Sequence, residues 1–119
     1  MNITIPLRYG HIKLYQYNFT FEMNPLVLQV TVVGTPDTVT GMVMNISDLK
    51  KIIKTQVMDQ LDHKNIDKQV DWFRYKVSTT ENVAVFCWDQ IQDQIPTPAK
   101  LYSIKIWETE KNIVTYYGL

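Results

Sequence analysis

The sequence predicts a single α+β domain with the element order ββααββ, in which both helices pack on one face of a four-stranded antiparallel sheet. Two observations predict this fold. Apolar and polar side chains alternate in two stretches before residue 36 and in two stretches after residue 99, as in half-buried strands. Between these stretches, apolar residues recur at intervals of three and four, as on one face of a helix. A chain of 119 residues suits one domain spanning 1–119, with a core that needs no disulfide or metal.

The first two strands are predicted from the region before residue 36. Aromatic residues alternate with polar residues from Tyr15 to Phe21, and Asn24-Pro25 ends the run because proline cannot donate a ladder hydrogen bond. In the second strand Leu28, Val30 and Val32 share one face. The turn sequence at residues 34–37 ends this strand.

The first helix is predicted from an apolar stripe that runs from Leu49 to Leu61 at helical spacing. Either Asn45 or Ser47 is suited to cap its start, because both side chains can accept a free backbone N–H. The segment that follows, residues 62–76, is rich in charge and is predicted to be a loop.

The second helix is predicted to begin with a capping box, in which Ser78 and Glu81 satisfy each other's backbone N–H groups. Its apolar face contains Cys87, the single cysteine of the chain. A nucleophilic cysteine needs an electropositive, partly exposed setting, and the neighbours of Cys87 in the sequence supply none. We therefore expect a buried structural thiol.

The last two strands are predicted at residues 100–107 and 113–117, joined by a turn at residues 110–112. A four-stranded sheet leaves two exposed edges, which proteins cover, blunt or pair with another chain. Pairing between subunits is one solution, so the sequence favours a homo-oligomer.

Composition excludes several classes of protein. The chain has 12 Lys+Arg and 12 Asp+Glu, whereas nucleic-acid-binding domains carry a basic excess. No apolar stretch reaches the ~20 residues that span a bilayer. We therefore expect no nucleic-acid or membrane partner. A single cysteine and a start without the pattern of a secretory leader predict a cytoplasmic protein.

Asp62 and His63 are candidate catalytic residues that follow the first predicted helix directly. A carboxylate beside an imidazole can orient the ring and hold its proton for acid–base chemistry. The alternative is a histidine that stabilises the carboxyl end of the helix through its dipole. The only other histidine is His11, so one chain cannot supply three histidine ligands to zinc.

Three further residues are candidates for ligand binding. Glu108 ends the third predicted strand, where a carboxylate can accept two N–H bonds from a guanidine-like edge of a heterocycle. The alternative is an ordinary exposed glutamate. Thr79 and Thr80 lie at the predicted start of the second helix, where their hydroxyls either contact a ligand or cap the helix.

Several blocks of sequence together resemble the 6-pyruvoyltetrahydropterin synthase family. The resemblance extends over residues 26–118, and the blocks occur in the order and spacing of the family. The blocks are Thr40-Gly41-Met42-Val43-Met44-Asn45, Asp48-Leu49-Lys50-Lys51, Leu61-Asp62-His63-Lys64-Asn65, Ser78-Thr79-Thr80-Glu81-Asn82-Val83-Ala84-Val85 and Trp107-Glu108-Thr109-Glu110-Lys111-Asn112-Ile113-Val114.

The resemblance implies the tunnelling fold, in which ββααββ subunits pair their sheet edges into a trimeric barrel and two trimers stack as a hexamer. It implies a lyase that converts 7,8-dihydroneopterin triphosphate to 6-pyruvoyltetrahydropterin and triphosphate in tetrahydrobiopterin synthesis. The pterin-anchoring glutamate of the family falls on Glu108, and its neighbouring threonines fall on Thr79 and Thr80. The Asp-His pair of the catalytic triad of the family falls on Asp62 and His63.

The first 25 residues depart from the family pattern. The family carries zinc-binding histidines and a catalytic cysteine where its first strand ends and its second begins. Here the stretch reads Phe19-Thr20-Phe21-Glu22-Met23-Asn24-Pro25-Leu26. The resemblance thus implies zinc as a cofactor, but its ligands are not found in this stretch. The alternative to an active synthase is a catalytically incomplete chain that binds pterin or takes part in oligomer assembly.

Overall fold

The sheet has five strands in the structure, a computed structural model that describes residues 2–9, 12–23, 26–61 and 66–118. All neighbouring strands are antiparallel, and their order in the sheet follows the chain. The strands are β1 (Asn2–Tyr9), β2 (Ile12–Met23), β3 (Leu26–Gly34), β4 (Lys100–Trp107) and β5 (Ile113–Tyr116). The predicted fold class is confirmed, and the four predicted strands correspond to β2–β5.

Strand β1 is an addition that the sequence does not predict. It pairs with β2 from Asn2 opposite Asn18 to Tyr9 opposite Ile12, with an irregular register between residues 4 and 7. Pro6 lies within this irregularity. Proline weakens a strand pattern because it donates no hydrogen bond, but it is tolerated on an edge strand. The sheet therefore has five strands rather than four.

The two predicted helices are both found. The first is α1 (Ile46–Ile53), which continues through a π-helical segment (Lys54–Met58) into α2 (Asp59–Leu61). The second is α4 (Thr80–Ile91), and between them lies the short α3 (Ile66–Gln69). Of the two candidate caps for α1, the structure selects Asn45, whose side-chain oxygen accepts the Ser47 N–H at 2.8 Å.

The start of α4 differs from the prediction by one residue. The N-cap is Thr79 rather than Ser78, and its Oγ1 accepts the Asn82 N–H at 3.2 Å. The Asn82 side chain in turn donates to the Val77 carbonyl at 2.7 Å. The predicted box of Ser78 and Glu81 is therefore wrong. Residues 79 and 82 have the same spacing as residues 78 and 81, and only the conformation of the preceding loop distinguishes the two pairs.

The core lies between one face of the sheet and the two main helices. On β3 Leu28, Val30 and Val32, which are predicted to share one face, are completely buried. The helices contribute buried side chains to the same cluster, among them Leu49 and Ile53 from α1 and Val83, Phe86 and Ile91 from α4. The prediction that both helices cover one face of the sheet is thereby confirmed.

The charged segment before α4 is more ordered than the predicted loop. A 3-10 turn (Asp71–Phe73) places Phe73 in the core at 2% exposure. The Phe73 ring lies 5.4 Å from the ring of Phe86 and 4.7 Å from that of Trp72, centroid to centroid. Hydrophobic burial therefore outweighs the charge density of the segment.

The opposite face of the sheet is mostly polar. Thr31 and Ser103 are buried on this face, and the Thr31 hydroxyl donates to the Asn18 side-chain oxygen at 2.7 Å. Residues of β2, β3 and β4 on the same face reach the end of the sheet where β4 ends, and this end carries the candidate site.

None of the helices in the described ranges is long and apolar enough to cross a membrane.

Candidate functional site

A cavity of about 550 Å³ opens at the end of β4 and contains the predicted ligand-binding carboxylate, Glu108. Its lining contains both apolar and polar side chains. They come from β2, β3 and β4 and from the turn that follows β4. The lining residues are Thr20, Val27, Trp107, Glu108, Thr109 and Glu110.

Strand register brings the cavity walls together. Val27 on β3 lies directly opposite Trp107 on β4, so an aliphatic and an aromatic side chain adjoin on the polar face of the sheet. Thr20 on β2 lies opposite Gln29, two residues along β3 from Val27 and on the same face. Because successive side chains of a strand alternate between faces, these residues share one surface although they are distant in sequence.

Hydrogen bonds within the turn after β4 hold the backbone that carries the carboxylate. The Glu108 N–H donates to the Asn112 carbonyl at 2.9 Å. The Thr109 hydroxyl oxygen accepts the N–H groups of Lys111 and Asn112 at 3.3 and 3.1 Å. The backbone of Glu108 is therefore fixed, while its side chain is exposed at the mouth of the cavity.

The arrangement suits a flat, nitrogen-rich ring. Within the described residues, the Glu108 carboxylate has no hydrogen-bond or ion-pair partner, so its oxygens are available to a ligand. A carboxylate accepts two parallel N–H bonds from a guanidine-like edge. Val27 and Trp107 supply apolar walls beside it, and ligand cavities commonly combine such walls with a few polar groups. The Lys105 ammonium lies 4.9 Å from the centre of the Trp107 ring.

Thr79 and Thr80 do not line this cavity in the single chain. Thr79 caps α4, and Trp88 near the other end of this helix contacts Tyr116 at the end of β5. Helix α4 thus runs parallel to β5, and its first turn lies toward the end of the sheet that carries Glu108. In the structure Thr79 caps the helix, which is one of the two alternatives that the sequence leaves open. A contact between a ligand and Thr79 or Thr80 stays a prediction.

Asp62 and His63 lie outside the described residues, and so does His11. The described chain leads into this pair through Leu61, which is 7% exposed in the core. The catalytic role of Asp62 and His63 stays a prediction from the sequence.

Cys87 is the buried structural thiol that the sequence predicts. It is completely buried on α4 and forms no disulfide. Burial raises its pKa from 9.0 to about 12, because the apolar surroundings disfavour the thiolate. The Cys87 thiol is therefore unsuited to nucleophilic or proton-transfer chemistry.

The described residues do not fit the zinc site that the resemblance implies. Where β2 ends, Phe19 and Phe21 stack with ring centres 5.2 Å apart, Met23 is buried and Leu26 packs against the core. The described residues of this stretch include no histidine or cysteine, the side chains that supply nitrogen and thiolate ligands to zinc. Across 2–9, 12–23, 26–61 and 66–118, no group of three or more His, Cys, Asp or Glu residues is arranged to hold a metal ion.

The sequence does not identify Thr20, Val27 or Glu110 as cavity residues. Thr20 and Val27 reach the cavity only through the pairing of three strands, which depends on register rather than on any local motif. The usable signal is the alternation on β3, which places Val27 on the face opposite the core.

Comparison with known proteins agrees with this fold. The family model for 6-pyruvoyl tetrahydropterin synthase matches residues 25–119. The 6-pyruvoyl tetrahydrobiopterin synthase of Drosophila melanogaster is 48% identical over 101 residues, which are 85% of this chain and 60% of that protein. The Homo sapiens protein of the same name is 53% identical over 89 residues, or 75% of this chain and 61% of that protein.

A solved structure is also similar, that of Caenorhabditis elegans 6-pyruvoyl tetrahydropterin synthase. It superposes with a TM-score of 0.73 and 40% identity, covering 79% of this chain and 66% of that one. The chain spans about three fifths of the length of the two curated relatives named above. Both sequence and structure agree on the assignment: the chain belongs to the 6-pyruvoyl tetrahydropterin synthase family.

Proposed function

We propose that the Glu108 cavity binds the pterin ring of 7,8-dihydroneopterin triphosphate, and that the chain converts this substrate to 6-pyruvoyltetrahydropterin and triphosphate in tetrahydrobiopterin synthesis. The observation that carries the proposal is the exposed Glu108 carboxylate, fixed on a hydrogen-bonded turn beside the apolar walls of Val27 and Trp107. Membership of the family supports the choice of substrate.

The pterin ring matches the cavity in both shape and hydrogen bonding. Its amino group and the neighbouring ring N–H form a guanidine-like edge, to which a carboxylate binds with two charge-assisted or polar hydrogen bonds. The flat ring then packs against the Trp107 indole and the Val27 side chain. The volume of about 550 Å³ lies within the range of small-molecule sites, roughly 300–1,000 Å³.

The proposed reaction needs proton transfer but no external oxidant or reductant. The atoms of the substrate equal those of 6-pyruvoyltetrahydropterin plus triphosphate. Two side-chain carbinols become ketones while the ring is reduced and the carbon–oxygen bond to triphosphate is broken. A base must take a proton from a side-chain carbon and return it elsewhere. We assign this proton transfer to His63, oriented by Asp62, on the resemblance of these residues to the family.

Assembly and location form part of the same proposal. We propose a homo-oligomer, a trimer or hexamer, in which open sheet edges pair between copies and Thr79 and Thr80 contribute to pockets at the interfaces. The open edge of β5 supports this assembly, because unpaired backbone groups at a sheet edge favour pairing with another strand. The single buried thiol, Cys87, supports a reducing compartment, the cytoplasm.

The test is a turnover assay with matched variants. The full chain is incubated with 7,8-dihydroneopterin triphosphate, with and without added Zn²⁺, and released triphosphate is measured by ion chromatography. Glu108→Gln is expected to raise KM about 10-fold or more, because one charged hydrogen-bonding group is lost. His63→Asn is expected to lower kcat by roughly 10²–10⁴. Glu81→Gln, an exposed change outside the cavity, is the control.

The outcomes separate the two parts of the proposal. Triphosphate release by the unmodified chain that depends on Glu108 and His63 supports both binding and reaction. Binding of the substrate without release of triphosphate under either metal condition would refute the reaction and leave a pterin-binding protein. Release that is equal in all variants would refute the assignment of the site.

A further inference from the structure

A row of polar side chains crosses the sheet beside the pterin cavity. Strand register places its members opposite one another on the polar face, from β2 to β5. The row consists of Thr20, Gln29, Lys105 and Thr115. Two residues along the strands, the next row on this face contains Val27 and Trp107, the apolar walls of the cavity. Lys105, the single charged side chain of the polar row, therefore lies next to the cavity wall.

The Lys105 side chain is half-buried and leans toward the cavity. Its ammonium lies 4.9 Å from the centre of the Trp107 ring, two residues further along β4. The electron-rich face of an indole attracts a cation, so this contact holds the ammonium at the cavity wall. Among the described residues, no carboxylate lies within ion-pair distance of Lys105. A partly desolvated cation without a counter-ion attracts an anion more strongly than an exposed cation does.

The cavity itself is poorly suited to phosphate groups. Its lining includes two carboxylates, Glu108 and Glu110, and neither lysine nor arginine. The substrate proposed above carries a triphosphate chain with several negative charges. Because like charges repel, the phosphates should lie away from both glutamates. The nearest suitable surface along β4 is the polar row that contains Lys105.

The proposed orientation of the pterin ring directs the substrate toward this row. When its guanidine-like edge contacts Glu108 and its face packs on Trp107, the opposite end of the ring points along β4 toward Lys105. This end of the ring carries the side chain and the triphosphate. Three residues of extended backbone separate Glu108 from Lys105, roughly 10 Å. Two fused rings and a three-carbon chain separate the guanidine-like edge from the first phosphate, a length of the same order.

We propose that Lys105 binds the triphosphate chain of the pterin substrate, with the Thr115 hydroxyl and the Gln29 amide beside it as further donors. This inference rests on the proposed function and assigns the phosphate groups to residues outside the cavity lining. An ammonium binds phosphate as a point charge, and neighbouring hydroxyl and amide groups can donate to the remaining oxygens.

The proposal divides recognition of the substrate between two residues. Glu108 contacts the ring, which is the same in 7,8-dihydroneopterin triphosphate and in unphosphorylated 7,8-dihydroneopterin. Lys105 contacts only the part in which these two compounds differ. Lys105 therefore determines the preference for the phosphorylated compound, defined as the ratio of the two dissociation constants.

Calorimetric titration of the full chain at low ionic strength tests this division. The three ligands are 7,8-dihydroneopterin triphosphate, 7,8-dihydroneopterin and inorganic triphosphate. The test variant is Lys105→Gln, which removes the charge and retains a polar side chain. The matched control is Lys100→Gln, which removes the same charge from an exposed position at the start of the same strand. Circular dichroism checks that each variant is folded.

We expect Lys105→Gln to lower the preference for the phosphorylated pterin at least about 10-fold and to weaken the binding of inorganic triphosphate by a similar factor. Lys100→Gln should change both quantities less than about 2-fold, because its exposed charge is screened. Glu108→Gln should weaken the binding of both pterins but not that of inorganic triphosphate. Thr115→Val, a second variant of the row, should weaken the binding of inorganic triphosphate about 3-fold.

Several results would overturn the inference. They are an unchanged preference in folded Lys105→Gln, an equal loss in Lys100→Gln, and no binding of inorganic triphosphate by the unmodified chain. If Lys105→Gln does not fold, unchanged binding of inorganic triphosphate by Thr115→Val would overturn it. Inorganic triphosphate that binds through Lys105 while neither pterin binds would refute the proposed pterin site and support the phosphate site. Failure of one proposal is therefore distinguishable from failure of the other.

Discussion

Replacing Tyr17 with Phe tests the hydrogen bond that joins the sheet to the segment before α1. The Tyr17 hydroxyl oxygen accepts the Val43 N–H at 3.0 Å, and both residues are 5% exposed. The substitution removes one oxygen atom and retains the ring, so the packing against the core is kept. The Val43 N–H is left buried without an acceptor.

The expected loss follows from this burial. An unsatisfied buried donor costs about 1–3 kcal/mol, and at 5% exposure water can reach the Val43 N–H only by moving the core apart. We expect the free energy of unfolding to fall by about 2 kcal/mol. For a domain of this size, that corresponds to a decrease in Tm of roughly 6–10 °C.

Urea denaturation followed by circular dichroism measures the change. The control is Tyr15→Phe, two residues earlier on the same face of β2 and partly buried, whose hydroxyl has no hydrogen-bond partner within the described residues. The control is expected to change the free energy of unfolding by less than about 0.5 kcal/mol. Equal effects of the two substitutions would refute the reasoning that the Tyr17–Val43 bond anchors this segment.

Four further predictions concern local contacts. Thr79→Ala is expected to lower the free energy of unfolding by about 1 kcal/mol in urea denaturation because it removes the cap of α4, whereas Ser78→Ala should have less than half that effect. The Cys87 thiol, with its pKa raised to about 12, should resist Ellman's reagent at pH 8 in the folded chain. Because only the unfolded thiol ionises between its ordinary pKa of 9.0 and about 12, the Cys87 contribution to stability should fall as the pH rises through this range, and Cys87→Ala should remove that contribution. Backbone N–H groups, that of Thr40 most strongly, lower the pKa of Asp37. The Asp37 carboxylate therefore stabilises the folded chain above about pH 3.9, and this contribution is lost as the pH falls through the lower pKa of the folded state. A carboxyl titration by NMR that gave Asp37 an ordinary or raised pKa would contradict this.

The parts of the fold that the sequence predicts are those set by local periodicity. The alternation on β3 places Leu28, Val30 and Val32 on one face, and all three are completely buried in the core. Strand β4 is predicted with the bounds that the structure shows, since a proline-containing turn precedes it and polar turn residues follow it. Strand β1 is missed because Pro6 interrupts its pattern and because its partner, not its own sequence, holds it in the sheet.

The candidate site is predictable only where one residue carries the signal. Glu108 is found because it ends a recognisable strand and because its surroundings resemble the family. Thr20 and Val27 join it through contacts between strands that are distant in sequence, which local patterns do not encode. The cap of α4 is missed by one residue, since Ser78 and Thr79 are chemically similar and differ only in backbone conformation.

The measurement that tests the central claim most directly is a fluorescence titration of the full chain with 7,8-dihydroneopterin triphosphate, compared with Glu108→Gln and Glu110→Gln. Both glutamates line the cavity, so the comparison asks which carboxylate anchors the ring. We expect saturable binding that weakens about 10- to 100-fold in Glu108→Gln, because a charge-assisted contact is lost, and that changes little in Glu110→Gln. Binding that is unaffected by Glu108→Gln in a folded variant, or no binding by the unmodified chain, would contradict it.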